Sequence, residues 1–288
     1  MKNHSFLVFL ILFCTFRSYA RSDSHLEHIH QLIEHGHYAK AEQALADTLR
    51  QNGSDHLAHC YLGRVYLIRE DPDRAMAHFE KAVELQPENA DYHLHLGQAC
   101  GQKVMQSGIF GRMKYAKRTR NAFENAVKLD STHIPSRIAL TQYYTHAPGI
   151  LGGGMEKAEV QARAVMKMDE IQGRYLRSQI LEKQGRLEAA MAEMDSLESI
   201  TPDSSKYAFV YQHYGYFLIS QDQPESAVEK FKKMIALQPE NANAYDCLGD
   251  AYRAMGDLEK AAEAYRRALE VNPNFKYSKE KLEEITSD

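Results

Sequence analysis

The sequence predicts an all-α protein, a right-handed superhelical solenoid of antiparallel helix pairs, and three observations carry that prediction. A pattern of apolar, small and aromatic residues returns about every 34 positions along the chain. A small residue opens the second helix of each unit, at Ala41, Ala75, Thr119, Ala158, Ala190, Ala227 and Ala261. Prolines 87, 202, 239 and 273 fall where a unit should end, and proline cannot continue a helix. No unit of this length buries its apolar face alone, so stacked neighbours must supply the core.

Taken in order, the chain opens on a segment with the features of a secretory leader. Lys2 supplies the positive end, Phe6 to Phe13 is an apolar run too short to span a membrane, and Ser18-Tyr19-Ala20 offers small residues for cleavage. The expected cleavage falls after Ala20, giving a signal peptide over 1–20 and a periplasmic or secreted protein. Cys14 follows Phe13, where a lipid-anchored leader would need a small residue. An uncleaved anchor is the alternative.

Seven units then follow, at about 22–55, 56–89, 90–133, 134–170, 171–204, 208–241 and 242–275, so that 21–288 forms one array. The clearest copies read Tyr61-Leu62-Gly63-x-x-Tyr66, Ala75-x-x-x-Phe79 and Pro87, and then Cys247-Leu248-Gly249-x-x-Tyr252, Ala261-x-x-x-Tyr265 and Pro273, with His95-Leu96-Gly97 between them. These residues resemble the tetratricopeptide repeat, in which an aromatic, Leu-Gly, Tyr, Ala, Phe and Pro stand at fixed offsets. Each position has a physical reason. Gly63, Gly97 and Gly249 let the first helix approach its neighbour, Phe79, Phe123, Phe231 and Tyr265 fill the space between units, and Gly36, Gly185 and Gly256 mark tight turns. A polar helix over 276–286 closes the array.

Two units break the spacing. The third carries about ten extra residues between its helices, giving Gly101 to Arg118. From Tyr92 to Phe123 there is no Asp or Glu, while Lys103, Arg112, Lys114, Lys117, Arg118 and Arg120 are basic. Cations opening a helix oppose the macrodipole, which points to a partner site. The structural alternative is a longer second helix with a solvated basic face and Ile109, Phe110, Met113 and Tyr115 packed beneath. The fourth unit carries His146-Ala147-Pro148-Gly149-Ile150-Leu151-Gly152-Gly153-Gly154, expected to end a helix at Pro148 and continue as a flexible loop. It is no nucleotide loop, because Met155-Glu156 stands where Lys-Ser/Thr is required. Both insertions join the two helices of consecutive units, so they should meet on one rim and build one raised patch.

The remaining chemistry-bearing residues fit structural roles. Ten of the histidines lie between His25 and His95. His25, His59 and His93 fall at one repeat position, where Tyr211 and Tyr245 stand later, so they replace a packing aromatic and no metal is expected. Cys60, Cys100 and Cys247 show no metal-ligand spacing and read best as buried thiols. No hydrolase, protease or nucleotide-binding signature is present, no cofactor is implied, and the net charge of −4 argues against a nucleic-acid partner.

The resemblance implies protein–protein interaction. The expected function is a non-catalytic scaffold or adaptor outside the cytoplasm, binding a peptide or protein in the concave groove, on the insertion rim, or on both. The groove should be lined by first-helix residues Arg64, Gln98, Gln142, Gln179, Gln212, Tyr216 and Asp250, and the rim by Phe110, Arg112, Lys114, Lys117, Arg118 and Arg120. The Lys/Asn/Arg carboxylate clamp of chaperone adaptors is not matched, since Cys60, Arg64, Leu94 and Gln98 stand at its positions. The stretched units, with their Ala-Pro-Gly-x-x-Gly-Gly-Gly turn, look like those of exported bacterial repeat proteins, which implies a location. A second expectation is a binder of acidic polysaccharide or lipid headgroups, or an accessory subunit of an envelope enzyme, acting through the basic rim.

Overall fold

The computed structural model describes residues 24–286; the apolar run, the expected cleavage site and the His25 side chain lie outside what is described. Fifteen α-helices follow one another with no strand among the described residues. They are α1 (Ser24–Glu34), α2 (Tyr38–Gln51), α3 (His56–Ile68), α4 (Pro72–Leu85), α5 (Ala90–Gln106), α6 (Ile109–Leu129), α7 (Ile134–His146) and α8 (Met155–Met166). The remainder are α9 (Glu170–Lys183), α10 (Leu187–Ile200), α11 (Ala208–Ser220), α12 (Pro224–Leu237), α13 (Ala242–Ala254), α14 (Leu258–Val271) and α15 (Lys276–Thr286).

The chain divides into two compact units at Leu176/Arg177, within α9. In the first, α1/α2, α3/α4, α5/α6 and α7/α8 pack as hairpins, and each hairpin leans on the next through α2/α3, α4/α5 and α6/α7. In the second, α11/α12 and α13/α14 pair in the same way and α15 lies against α14.

Local chemistry sets the helix ends. Asp55, Asp71, Asn89 and Asp257 each accept a backbone N–H from the first turn that follows, a cap that stabilises by about 1 kcal/mol. Pro72, Pro135 and Pro224 occupy first-turn positions where no N–H is needed. Inside the hairpins the chain turns through a left-handed residue: Gly36 (φ 74°), Gly185 (73°) and Gly256 (78°) do so freely, whereas Glu70 (58°) and Asp222 (60°) do so under strain. The second helices end at Leu85, Ile200, Leu237 and Val271, each two residues before the proline that stops it.

The repeat glycines face a ring. A Cβ on Gly63 would lie 2.6 Å from the Phe79 ring, and one on Gly97, Gly215 or Gly249 would lie 2.4 Å from Phe123, Phe231 or Tyr265. So the glycine accommodates the aromatic of its own hairpin. Where the first helix carries a bulkier residue, the facing position shrinks or softens: Thr141 goes with Ala162 and Ser178 with Met194, all buried.

The first insertion is absorbed into helices. α5 has 17 residues against 13 in α3, and α6 has 21 against 14 in α4, leaving Ser107-Gly108 as the turn. The longer second helix expected as the structural alternative is therefore present, but of its four apolar residues only Tyr115 packs against the core beneath it. Ile109 is 76% exposed, Phe110 89% and Met113 49%. The second insertion also corrects an expectation. Its glycines form a hydrogen-bonded turn instead of a slack loop: a 3-10 turn over Gly149–Leu151, Gly152 left-handed at φ 87°, and the Gly154 N–H donating to the Tyr144 carbonyl. A Cβ on Gly153 would fall 1.8 Å from the Ala147 carbonyl oxygen, so the turn closes only with glycine there.

Candidate functional site

Three groups of predicted residues occupy distinct places. The first is the α5–α6 tip. The extra turns carry it past the shorter hairpin formed by α3 and α4. Its N-terminal end has no side-chain cap and no acid in its first turn. Along α6, Phe110, Lys114 and Lys117 share a face at four- and three-residue spacing, and all three are exposed. Arg112 donates to the Ser107 carbonyl and keeps its side chain exposed. Lys114 leans over the Tyr115 ring at 5.3 Å.

Other cations of the same basic run are engaged. Lys103 pairs with Asp73 at 2.6 Å, and Arg118 pairs with Glu80 on α4. Arg120 lies deeper, its guanidinium donating to the Leu151 carbonyl at 3.3 Å and crowding Gly152. The second insertion therefore meets α6 at Arg120, just beyond the Gly101–Arg118 segment, and these contacts do not involve the extra turns at the tip. Tyr143 also donates to the Leu151 carbonyl, at 2.7 Å. Sequence reasoning grouped Arg112 to Arg120 together, whereas the structure separates paired anchors from an exposed apolar–basic tip.

The second group is the inner row of the first unit. Arg64 stands over the Tyr61 ring at 5.5 Å. Gln98 contacts His95, whose Nδ1 lies 2.9 Å from the amide oxygen and whose ring stacks on Phe79 at 5.5 Å. Burial, reinforced by the Arg64 charge, pushes the His95 imidazole down to about 4. Gln142 follows on α7, half-buried. His59 and His93 perform a task that the sequence did not reveal. Each Nε2 reaches the backbone carbonyl six residues back, Gly53 at 3.3 Å and Pro87 at 2.9 Å, fastening the turn between hairpins. His59 also meets His78 Nδ1 to Nδ1 at 3.0 Å. His78 is held down to about 4, mainly by burial and then by the nearby His59 and Arg74 charges. Among the described residues no group of three or more His, Cys, Asp or Glu could hold a metal ion.

The third group, in the second unit, is a network centred on the buried Asp246 and half-buried Asp250. Lys281 of α15 reaches Asp246 at 2.8 Å and Asp250 at 2.7 Å, both on α13. Ser278 donates to Asp246 at 2.7 Å, and Tyr216 and Tyr265 donate to Asp250 at 2.9 and 2.8 Å. Burial raises the Asp246 carboxyl, against the pull of Lys281. The predicted groove residues Tyr216 and Asp250 are thus tied to the closing helix, a role the i, i+4 spacing of Asp246 and Asp250 hints at only in retrospect. Cys60, Cys100 and Cys247 are free and buried, and burial pushes their thiols up to about 12, 11 and 12.

With this geometry in view, comparison with known proteins is informative. Tetratricopeptide repeat models match residues 26–90, 69–102 and 242–275. The chain is 24% identical over 238 residues to Tetratricopeptide repeat protein 37 of Xenopus laevis, covering 80% of this chain and 14% of that protein. It is 26% identical over 239 residues to the BBSome complex member BBS4 of Bos taurus, covering 82% and 42%. The chain thus spans less than half the length of these relatives. Among solved structures it resembles yeast Tom70 (TM-score 0.72, 14% identity, 95% of this chain and 58% of that one). It also resembles a tetratricopeptide repeat protein from Parabacteroides merdae (TM-score 0.63, 15% identity, 92% and 98%). With matched repeats near both ends and the same helical fold, the chain belongs to the tetratricopeptide repeat family.

Proposed function

We propose that the protein is a non-catalytic scaffold that binds an extended peptide or protein segment along the inner row of its first helices, outside the cytoplasm. The fold is one that generally serves protein–protein interaction. The observation that carries the reading is a recurrence: the residue just after each small packing position is polar or aromatic and half-buried or exposed. In the first unit this gives Arg64, Gln98 and Gln142; in the second, Gln179, Tyr216 and Asp250. A core alone has no use for a guanidinium and amides at a fixed offset, whereas peptide carbonyls and carboxylates do. In the second unit Asp250 is engaged by Lys281 of α15.

A photo-crosslinking residue at Gln98, compared with one at the exposed Glu84 of α4, tests this reading in cells of the source. Crosslinked adducts at 98, absent at 84 and lost with Arg64→Glu, support it; equal adducts at both positions overturn it. N-terminal sequencing of the protein recovered from the envelope tests the location, with Arg21 the expected first residue.

A further inference from the structure

The α5–α6 tip combines features that neither packing nor the inner row explains. Ile109 and Phe110, 76% and 89% exposed, open α6, with Met105 and Met113 exposed beside them. Arg112, Lys114 and Lys117 follow, all exposed. The acids that face this region from α4 are committed lower down, Asp73 to Lys103 and Glu80 to Arg118. Gln106 is held by the Glu70 backbone carbonyl at 3.1 Å, which anchors the base of the tip. The apolar side chains are therefore presented outward on a braced hairpin, with unneutralised cations behind them.

We propose that this tip docks the protein on an anionic lipid bilayer, with Ile109 and Phe110 entering the interface and Arg112, Lys114 and Lys117 meeting the phosphodiester headgroups. Along a helix, Lys114 lies about 6 Å and Lys117 about 10 Å behind Phe110. Interfacial apolar groups bury to about 5–10 Å, so a phenyl ring at that depth leaves the ammonium groups at the level of the phosphates. A soluble polyanion would meet the cations and leave Ile109 and Phe110 in water. A bilayer takes both at once. No helix of the described residues is long and apolar enough to cross a membrane, so this contact is peripheral.

The chain contains no tryptophan, so Phe110→Trp makes the tip its own reporter in the full-length protein, whatever the rest of the chain does. Vesicles of equal phosphatidylglycerol and phosphatidylcholine should shift the indole emission to the blue, and bromine on the acyl chains should quench it. Each cation near the surface strengthens binding about fivefold, so adding Lys114→Gln and Lys117→Gln should weaken partitioning about 25-fold. Circular dichroism at 222 nm checks that the helices persist. Emission that stays at its water value with anionic vesicles overturns the proposal. So does equal quenching on pure phosphatidylcholine, or a blue shift given only by an acidic protein or polyglutamate, which would make the tip a protein-binding element.

Discussion

Gly97→Ala offers the sharpest test of how the hairpins are held. In an exposed helix this change stabilises by about 1 kcal/mol, because alanine is the better helix former. Here the new Cβ would lie 2.4 Å from the Phe123 ring, more than 1 Å inside ordinary contact, and Phe123 is buried. Relief requires the ring to leave its rotamer or α5 to move off α6, and overpacking of this kind costs about 1–3 kcal/mol. The crowding term should win, leaving a net loss of about 1 kcal/mol. The chain's own Thr141–Ala162 hairpin supplies the control. Phe123→Ala alone should cost about 3–5 kcal/mol, whereas Gly97→Thr with Phe123→Ala should cost less than the sum of its parts by about 1–3 kcal/mol. Urea denaturation followed at 222 nm measures all four corners of the cycle. A stabilised Gly97→Ala protein, or strictly additive losses, would refute the idea that ring and glycine are volume partners.

Other consequences are equally open to measurement. Glu70→Gly and Asp222→Gly should each raise the unfolding free energy by roughly 0.5–1 kcal/mol in urea denaturation, since a left-handed residue with a Cβ is strained; Gly256→Ala should do the reverse. Lys281→Met leaves the buried Asp246 and half-buried Asp250 carboxylates without their cation and should cost about 2–4 kcal/mol, with Asp246→Asn in the same chain recovering part of it. The imidazoles of His78, His95 and His213 are depressed from 6.5 to about 4, the third by burial. Below pH 6.5 the unfolded chain binds protons that these folded imidazoles refuse, so stability falls as pH drops from 6.5 to 4 and is fully present above 6.5. His95→Gln should flatten the dependence of Tm on pH across that window.

Much of the scaffold is legible in the sequence because it depends on residues whose effect is steric and local. Proline stops a helix wherever it falls, glycine alone fits against a ring, and Gly36, Gly185 and Gly256 turn the chain as their identity predicts. What depends on three-dimensional meeting is less legible. The i, i+4 carboxylates Asp246 and Asp250 look like a solvated helix face until Lys281, more than thirty residues away, arrives between them. The sorting of Arg118 and Arg120 into anchors and of Lys114 and Lys117 into exposed groups follows from Glu80 and Leu151, which no spacing rule connects to α6. The fate of Phe110 was likewise undecided by pattern, because an apolar residue at the start of a lengthened helix can face either way.

The lengthened hairpin has one consequence for how such an array changes over time. Four added residues in α5 and seven in α6 amount to about one and two turns at 3.6 residues per turn. Growth in near-whole turns leaves the azimuth of every packed side chain almost unrotated, so Gly97 still meets Phe123 below the added segment. The hairpin can be drawn out or cut back at its end like a telescoping mast while its footing stays in phase. A variable reach and a fixed foundation are thereby separable traits, and the end of the mast is free to acquire chemistry that the foundation never has to tolerate.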